Sequence, residues 1–179
     1  MKLFALLAIS ISLAASAAFA QSSDLTVNTG GSVNCVTTTG ESGFNIDAWA
    51  VGGNDSVLNG RGTSGAALGL PRLTDFSISR QLDACSAQLQ QKFLMATAVP
   101  SFVLTQYSRG PKPFVMLVIT LTNPMMTSYQ ITGTTDGRPF EQVSFTFSKV
   151  CLKEQKQNAD GSVSSSAQIC YDRIANITS

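Results

Sequence analysis

Gly137-Arg138-Pro139-Phe140-Glu141-Gln142-Val143-Ser144-Phe145-Thr146-Phe147-Ser148-Lys149-Val150 carries the clearest two-residue period in the chain. Val143, Phe145 and Phe147 fall on one face, and Ser144, Thr146 and Ser148 on the other. Successive side chains of a strand point to opposite sides, so the pattern predicts a half-buried strand over residues 140–152. Immediately upstream, residues 126–134 alternate more weakly through Tyr129 and Ile131. Residues 114–122 are apolar on both sides: Phe114, Met116 and Val118 have one parity, and Val115, Leu117, Ile119 and Leu121 the other. One set fills an interior, and the other must be covered by a helix or a second subunit. Phe114, Met116 and Val118 are therefore candidate contact residues, with Met116 foremost.

Residues 101–108 form a further strand, which leads into a Gly110-Pro111 turn. Before it, Leu89, Phe93 and Ala96 recur at helical spacing and predict a helix over residues 87–97. Ser86 would cap its start, and Pro100 would end it. Residues 32–38, 44–51 and 73–80 read as strands, and residues 21–31 as a loose segment or an edge strand. Between them, residues 52–71 hold glycines at 52, 53, 60, 62, 65 and 69 with little periodicity. That composition predicts a long flexible loop, the least ordered part of the chain. Its centre, Asn59, Gly60, Arg61 and Gly62, is the candidate contact loop. About eight short antiparallel strands and one helix predict a mainly β fold, a small barrel or sandwich with the helix on its side.

The first twenty residues bear one charge, Lys2, then an apolar run, then small residues ending in Ala18-Phe19-Ala20. This is the pattern of a cleaved secretory leader, and its apolar run falls short of the ~20 residues a membrane span needs. A single domain then covers residues 21–179, exported to the periplasm or secreted, with no membrane association after cleavage. Cys35, Cys85, Cys151 and Cys170 form an even set, expected in an exported chain to be disulfide-bonded. Asp160-Gly161 is a hairpin-turn dipeptide, and Cys151 and Cys170 stand nine residues to either side of it. A two-residue turn would set them opposite each other as a hydrogen-bonded pair, Cα atoms about 5.5 Å apart. Cys35 then pairs with Cys85 by elimination.

The chain is 44% hydrophobic and 13% charged, with 12 basic against 11 acidic side chains, which excludes an electrostatically driven nucleic-acid binder. It contains no histidine, so Ser-His-Asp and Cys-His catalysis and histidine-ligated metal sites are excluded. Gly60-Arg61-Gly62-Thr63-Ser64-Gly65 matches a dinucleotide fingerprint in letters only, because no helical period follows it. Asp47, Asp75, Asp83 and Glu141 are the carboxylates a glycosidase-like pair would draw on, yet their spacing favours structural roles. Trp49, the single tryptophan, reads as a core or subunit-contact residue. No cofactor and no metal are expected, and no catalysis.

Asp83-x-x-Ser86-x-x-Leu89, then Val103-x-Thr105, Lys112-Pro113, Ile119-Thr120-Leu121-Thr122 and Pro139-x-Glu141-x-Val143-Ser144-Phe145-x-Phe147-x-Lys149-Val150 follow in order, with Asp160-Gly161 and Asn176 after them. Together they resemble the haemolysin-coregulated protein (Hcp) family of type VI secretion, over roughly residues 32–176. The resemblance implies two antiparallel sheets closing into a small barrel with one helix beside it. It also implies non-enzymatic subunits that form hexameric rings, stack into the tube of a contractile injection device and carry protein cargo in the pore. The leader and the four cysteines depart from that family, whose subunits assemble in the cytoplasm. The alternatives are an exported stand-alone binding module on the same fold, using the glycine loop for recognition, and a hydrolytic effector.

Overall fold

The computed structural model describes residues 25–33, 35, 37, 42–54, 57–58, 67–68, 72–109, 112–135 and 137–179. Residues 1–20 and the Asn59–Gly62 centre of the glycine loop lie outside them. The strands are β1 (Leu25–Asn28), β2 (Phe44–Asn45), β3 (Ala48–Ala50), β4 (Gly53–Asn54), β5 (Val57–Leu58), β6 (Ala67–Leu68), β7 (Arg72–Leu73) and β8 (Phe76–Gln81). Helix α1 (Ser86–Leu94) follows, and then β9 (Phe102–Tyr107), β10 (Val115–Thr122), β11 (Met125–Thr134), β12 (Gly137–Thr146) and β13 (Lys149–Gln157). The chain ends in β14 (Val163–Ser165), β15 (Ile169–Asp172) and β16 (Ile177–Thr178).

Two antiparallel sheets face each other as a sandwich. The larger runs β16-β15-β13-β10-β9-β1-β2, with β14 beside β13, and the smaller runs β11-β12-β8-β3. Strand parity places Val27, Leu104, Ile119, Leu121 and Val150 inward from the first, and Phe76, Ile78, Val143 and Phe145 inward from the second. Phe102 of β9 bridges the layers, its ring centroid 5.3 Å from Phe76 and 4.9 Å from Phe145. Each such buried aromatic or branched side chain contributes about 1.5–3 kcal/mol relative to exposure. Trp49 stacks on Phe76 at 5.9 Å and packs against this core.

Two segments read as continuous strands are broken, and each break is a crossing between sheets. Residues 140–152 divide into β12 of the small sheet and β13 of the large one, with Phe147 and Ser148 at the corner. Ser148 N–H donates to Thr122 O (3.0 Å). Burial passes from odd positions (Val143, Phe145, Phe147) to Val150, because the chain changes the side on which the core lies. Residues 44–51 do the same. Ile46 N–H donates to Leu25 O (3.1 Å) in one sheet and Asp47 N–H to Ser79 O (2.9 Å) in the other. Phe44 and Ile46 are buried before the corner, whereas Ala48 and Ala50 are exposed after it.

Other expectations are corrected. β1 is not an edge: it lies between β9 and the two-residue β2, and Val27 is fully buried. Residues 32–38 give no strand at Ser32, Val33, Cys35 or Thr37, although Val33, Cys35 and Thr37 are buried. The glycine loop is not structureless where described. β4 pairs with β7 and β5 with β6, which makes a hairpin arm. Its base is closed by Thr74 N–H and Oγ1 donating to Gly52 O (2.8 and 3.0 Å). The helix begins one residue earlier than expected, with Cys85 rather than Ser86 at the cap. It ends at Leu94 because Ala96 turns left-handed (φ 46°), while Thr97 N–H closes back on Lys92 O (3.1 Å).

Cys151 and Cys170 are bonded, as are Cys35 and Cys85. Cys151 and Cys170 are register partners, yet their hairpin is not the two-residue one. Gln157 pairs with Val163, which lengthens the turn by one residue, and a one-residue slip between β14 and β15 restores the register. Cys170 exchanges both backbone bonds with Ser179, on its other side. The cysteines therefore form a non-hydrogen-bonded pair, Cα atoms 4.0 Å apart. Gly161 (φ 84°) makes the tight turn, and Ser162 donates to Asp160 through N–H (2.9 Å) and Oγ (2.7 Å), which holds that carboxyl below its usual range.

Candidate functional site

Arg80 follows Phe76 and Ile78 at the same parity on β8, and Glu141 precedes Val143 and Phe145 at theirs on β12. Both strands therefore carry a charged group inward. Arg80 is 2% exposed and Glu141 0%. The strands are neighbours, with Glu141 and Arg80 register partners, so the two charges meet: Arg80 Nε lies 3.4 Å from Glu141 Oε1. The guanidinium also pairs with Asp83, which is half exposed, and lies over the Phe44 ring at 5.0 Å. Ser86 Oγ donates to Glu141 Oε1 (3.0 Å), and Tyr129 OH donates to Glu141 Oε2. Ser86 Oγ also accepts from Asp83 N–H (3.1 Å), and Phe93 stacks on Tyr129 at 6.0 Å.

This cluster joins β8, β12, β11 and the first turn of α1. A buried carboxylate requires such partners, since an unpaired charge in the interior costs several kcal/mol. Arg80 was missed by sequence reasoning. The signal was its place two residues beyond Ile78 on an alternating strand. Of the four carboxylates considered, Asp83 and Glu141 converge, but on one arginine. Asp75 accepts from Thr127 Oγ1 (2.6 Å) and lies 3.9 Å from Arg173 Nη1, and Asp47 is exposed. Chemically, the arrangement anchors a helix and offers no free acid–base pair.

Burial raises the Tyr129 pKa far above its usual value, and the hydrogen bond to Glu141 and that residue's negative charge add to the effect. Arg80 works against it. A raised folded-state value means the tyrosine's contribution is complete below the unfolded pKa of about 10 and is lost as pH climbs beyond it. Urea midpoints at about pH 8 and about pH 11 should therefore fall further apart in the parent than in Tyr129→Phe. Equal differences would exclude the Tyr129–Glu141 bond as a contributor.

The contact residues lie elsewhere. Val118 on β10 is half-buried and Met116 is 40% exposed at the register shift between Val115 and Leu117, while Phe114, half-buried, precedes the strand. The helix packs against β11. β11 is the terminal strand of the small sheet. Eight of its ten residues have partners on β12, with register shifts at Thr127 and Gly133, and it pairs with no other strand among the described residues. Met125 and Ile131 on it are each 48% exposed. No helix among the described residues is long and apolar enough to cross a membrane.

Residues 29–153 match the family model described as type VI secretion system effector, Hcp. The chain belongs to the Hcp family. Solved structures agree in fold. One titled as a type six secretion system protein superposes with a TM-score of 0.77 at 19% identity, over 87% of this chain and 99% of that one. Hcp1 from Salmonella typhimurium gives 0.66 at 18%, over 87% and 98%. A type VI secretion system effector from Yersinia pestis gives 0.58 at 21%, over 83% and 99%. No curated protein sequence matches the chain. The Hcp match contains the whole Arg80 cluster, the arm, β11 and the Cys35–Cys85 bond, whereas Cys170 and Arg173 lie beyond it.

Proposed function

We propose that residues 21–179 are a non-enzymatic structural protein that self-associates into hexameric rings, acting in the periplasm or outside the cell after removal of residues 1–20. The observation that carries self-association is the outer edge of β11, which has no partner strand among the described residues. An open edge is a template for another chain, and the register shifts at Met126/Ser128 and Thr132/Thr134 confine that template to residues 128–132. The hairpin arm and the exposed Met116 add two further surfaces for a neighbour, and the pore of a ring would hold a protein cargo. Membership of a type VI secretion family supports the ring reading. Export is supported by the composition of the leader and by two disulfides, which persist in oxidising compartments. Absence of catalysis is supported by the pairing of Asp83 and Glu141 with Arg80.

Light scattering on the oxidised protein lacking residues 1–20 should give six times the protomer mass, with rings in negative stain. A monomer at the highest accessible concentration would overturn the ring and leave a stand-alone binding module. Met116→Asp sharpens the test. Sequence alone predicts that this change buries a charge, but Met116 is exposed in the protomer. Its effect on protomer stability should stay within about 0.5 kcal/mol, while the hexamer dissociates. A variant hexamer of unchanged stability would remove Met116 from the interface.

A further inference from the structure

Cys151 lies in a ladder paired on both sides. Thr120 of β10 is its register partner on one side and Cys170 of β15 on the other, and Val150↔Tyr171 and Leu152↔Ile169 flank the cysteine pair. Cys170 N–H donates to Ser179 O (2.8 Å), and Ser179 N–H to Cys170 O (2.9 Å). Backbone bonds therefore hold the two cysteines in register independently of the bond between their sulfurs. The two residues are not equivalent. Cys170 is 8% exposed, and Gln168 Nε2 donates to its Sγ (3.5 Å). Cys151 is half-buried. Lys149 and Lys153 stand two residues to either side of Cys151, so strand alternation puts both on its side of β13, and both are half-buried. Of the register partners of these three residues only Asp172, opposite Lys149, is acidic, and its Oδ1 accepts from Ile174 N–H (2.8 Å) and Ala175 N–H (2.9 Å). Lys153 is opposite Val118.

We infer that Cys151–Cys170 is a reversible exchange site for a small acidic thiol, with Cys151 the sulfur attacked, Cys170 the leaving thiolate and Gln168 the residue that positions it. The incoming thiolate bonds to Cys151 Sγ, the Sγ–Sγ bond breaks, and its electron pair leaves on Cys170 Sγ. The Gln168 amide already donates to that atom and stabilises the charge it gains, and a thiol that carries charge better leaves faster. The Cys170 thiolate then takes a proton from water. A second small thiolate attacks the small-molecule sulfur of the mixed disulfide, frees Cys151 and departs as the oxidised small thiol. Two electrons and two protons have then passed to the protein. Lys149 and Lys153 draw an acidic thiol to Cys151 and favour the Cys151 thiolate once it is freed. The ladder keeps the two thiols opposite each other, so the step runs backward as well. Cys151 attacks the oxidised small thiol, and Cys170 displaces the adduct and closes the bond.

The test exposes the full oxidised chain to mercaptoethanesulfonate and, in parallel, to cysteamine, a cationic thiol of the same length, at equal thiolate concentration. Acid quenching and peptide mapping locate the adduct, and amide exchange reports on the ladder. The adduct should favour Cys151 over Cys170 by at least about threefold, and form at least about twofold faster with the acidic thiol. Val115–Thr122 and Lys149–Gln157 should stay protected while the pair is open, and the oxidised thiol should restore the bond. Gln168→Leu removes the donor at an exposed position; it should slow opening by at least about threefold with both thiols and narrow the preference for Cys151. If that variant does not fold, the position of the adduct in the parent decides. An adduct mainly on Cys170 overturns the site. So do equal rates with the two thiols, loss of protection in β13 on opening, or an unchanged rate in Gln168→Leu.

Discussion

Glu141→Leu is expected to destabilise the oxidised protomer by about 3–5 kcal/mol, read as a fall in the urea midpoint. Leucine fits a fully buried position, so the cost is electrostatic. Arg80 would keep only Asp83, which is half exposed, as its partner, and Ser86 Oγ and Tyr129 OH would lose their acceptor. Adding Arg80→Met should recover most of the loss, because a buried ion pair replaced by apolar groups of similar size is often neutral or better. Since the cluster pins the first turn of α1 to β8 and β12, the single variant should also lose near-ultraviolet signal from Tyr129. A single variant within about 1 kcal/mol of the parent would mean that the charge escapes to water, contrary to its burial.

Phe102→Ala should cost a comparable ~3–5 kcal/mol by a different route. Its ring spans the gap between the sheets and touches Phe76 and Phe145 on the opposite layer. Truncation leaves a cavity that two packed sheets cannot collapse to fill, so the transfer loss and the cavity loss add. Val103→Ala, one residue on and facing outward, is the control and should cost under about 1 kcal/mol. Similar losses for the two would mean that the inward face of β9 has been misassigned.

What the sequence disclosed, and what it hid, follow from the same periodicity. Val143, Phe145 and Phe147 announce a strand because alternation is local. The corner at Ser148 is invisible to alternation, since apolar residues on either side of it remain inside while their parity inverts. Ile46 and Asp47 hide their corner in the same way. Arg80 and Glu141 obey the alternation and were legible by position, but charge suggests solvent, and only a neighbouring strand reveals the partner. Cys151 and Cys170 were paired correctly through a turn of the wrong length, because the extra turn residue and the slip after β14 cancel. The arm was read as loop since its short ladders depend on pairing across the hairpin rather than on an apolar face. The helix was legible in its spacing but not in its cap: Ser86 was needed as a donor to a carboxylate 55 residues away.

The separation of the two cysteine pairs also sets how the molecule responds to being pulled. A chain drawn out from its ends lengthens by roughly 3.4 Å per residue released. The bond between Cys35 and Cys85 withholds 50 residues from that extension, and the bond between Cys151 and Cys170 withholds 19. Together these are over a third of the polypeptide and amount to roughly 230 Å of hidden contour. An oxidised subunit can therefore be moved as a folded body, but it cannot be drawn through a narrow opening as a single strand. A translocase or unfoldase that threads polypeptides would have to engage this chain before its cysteines close.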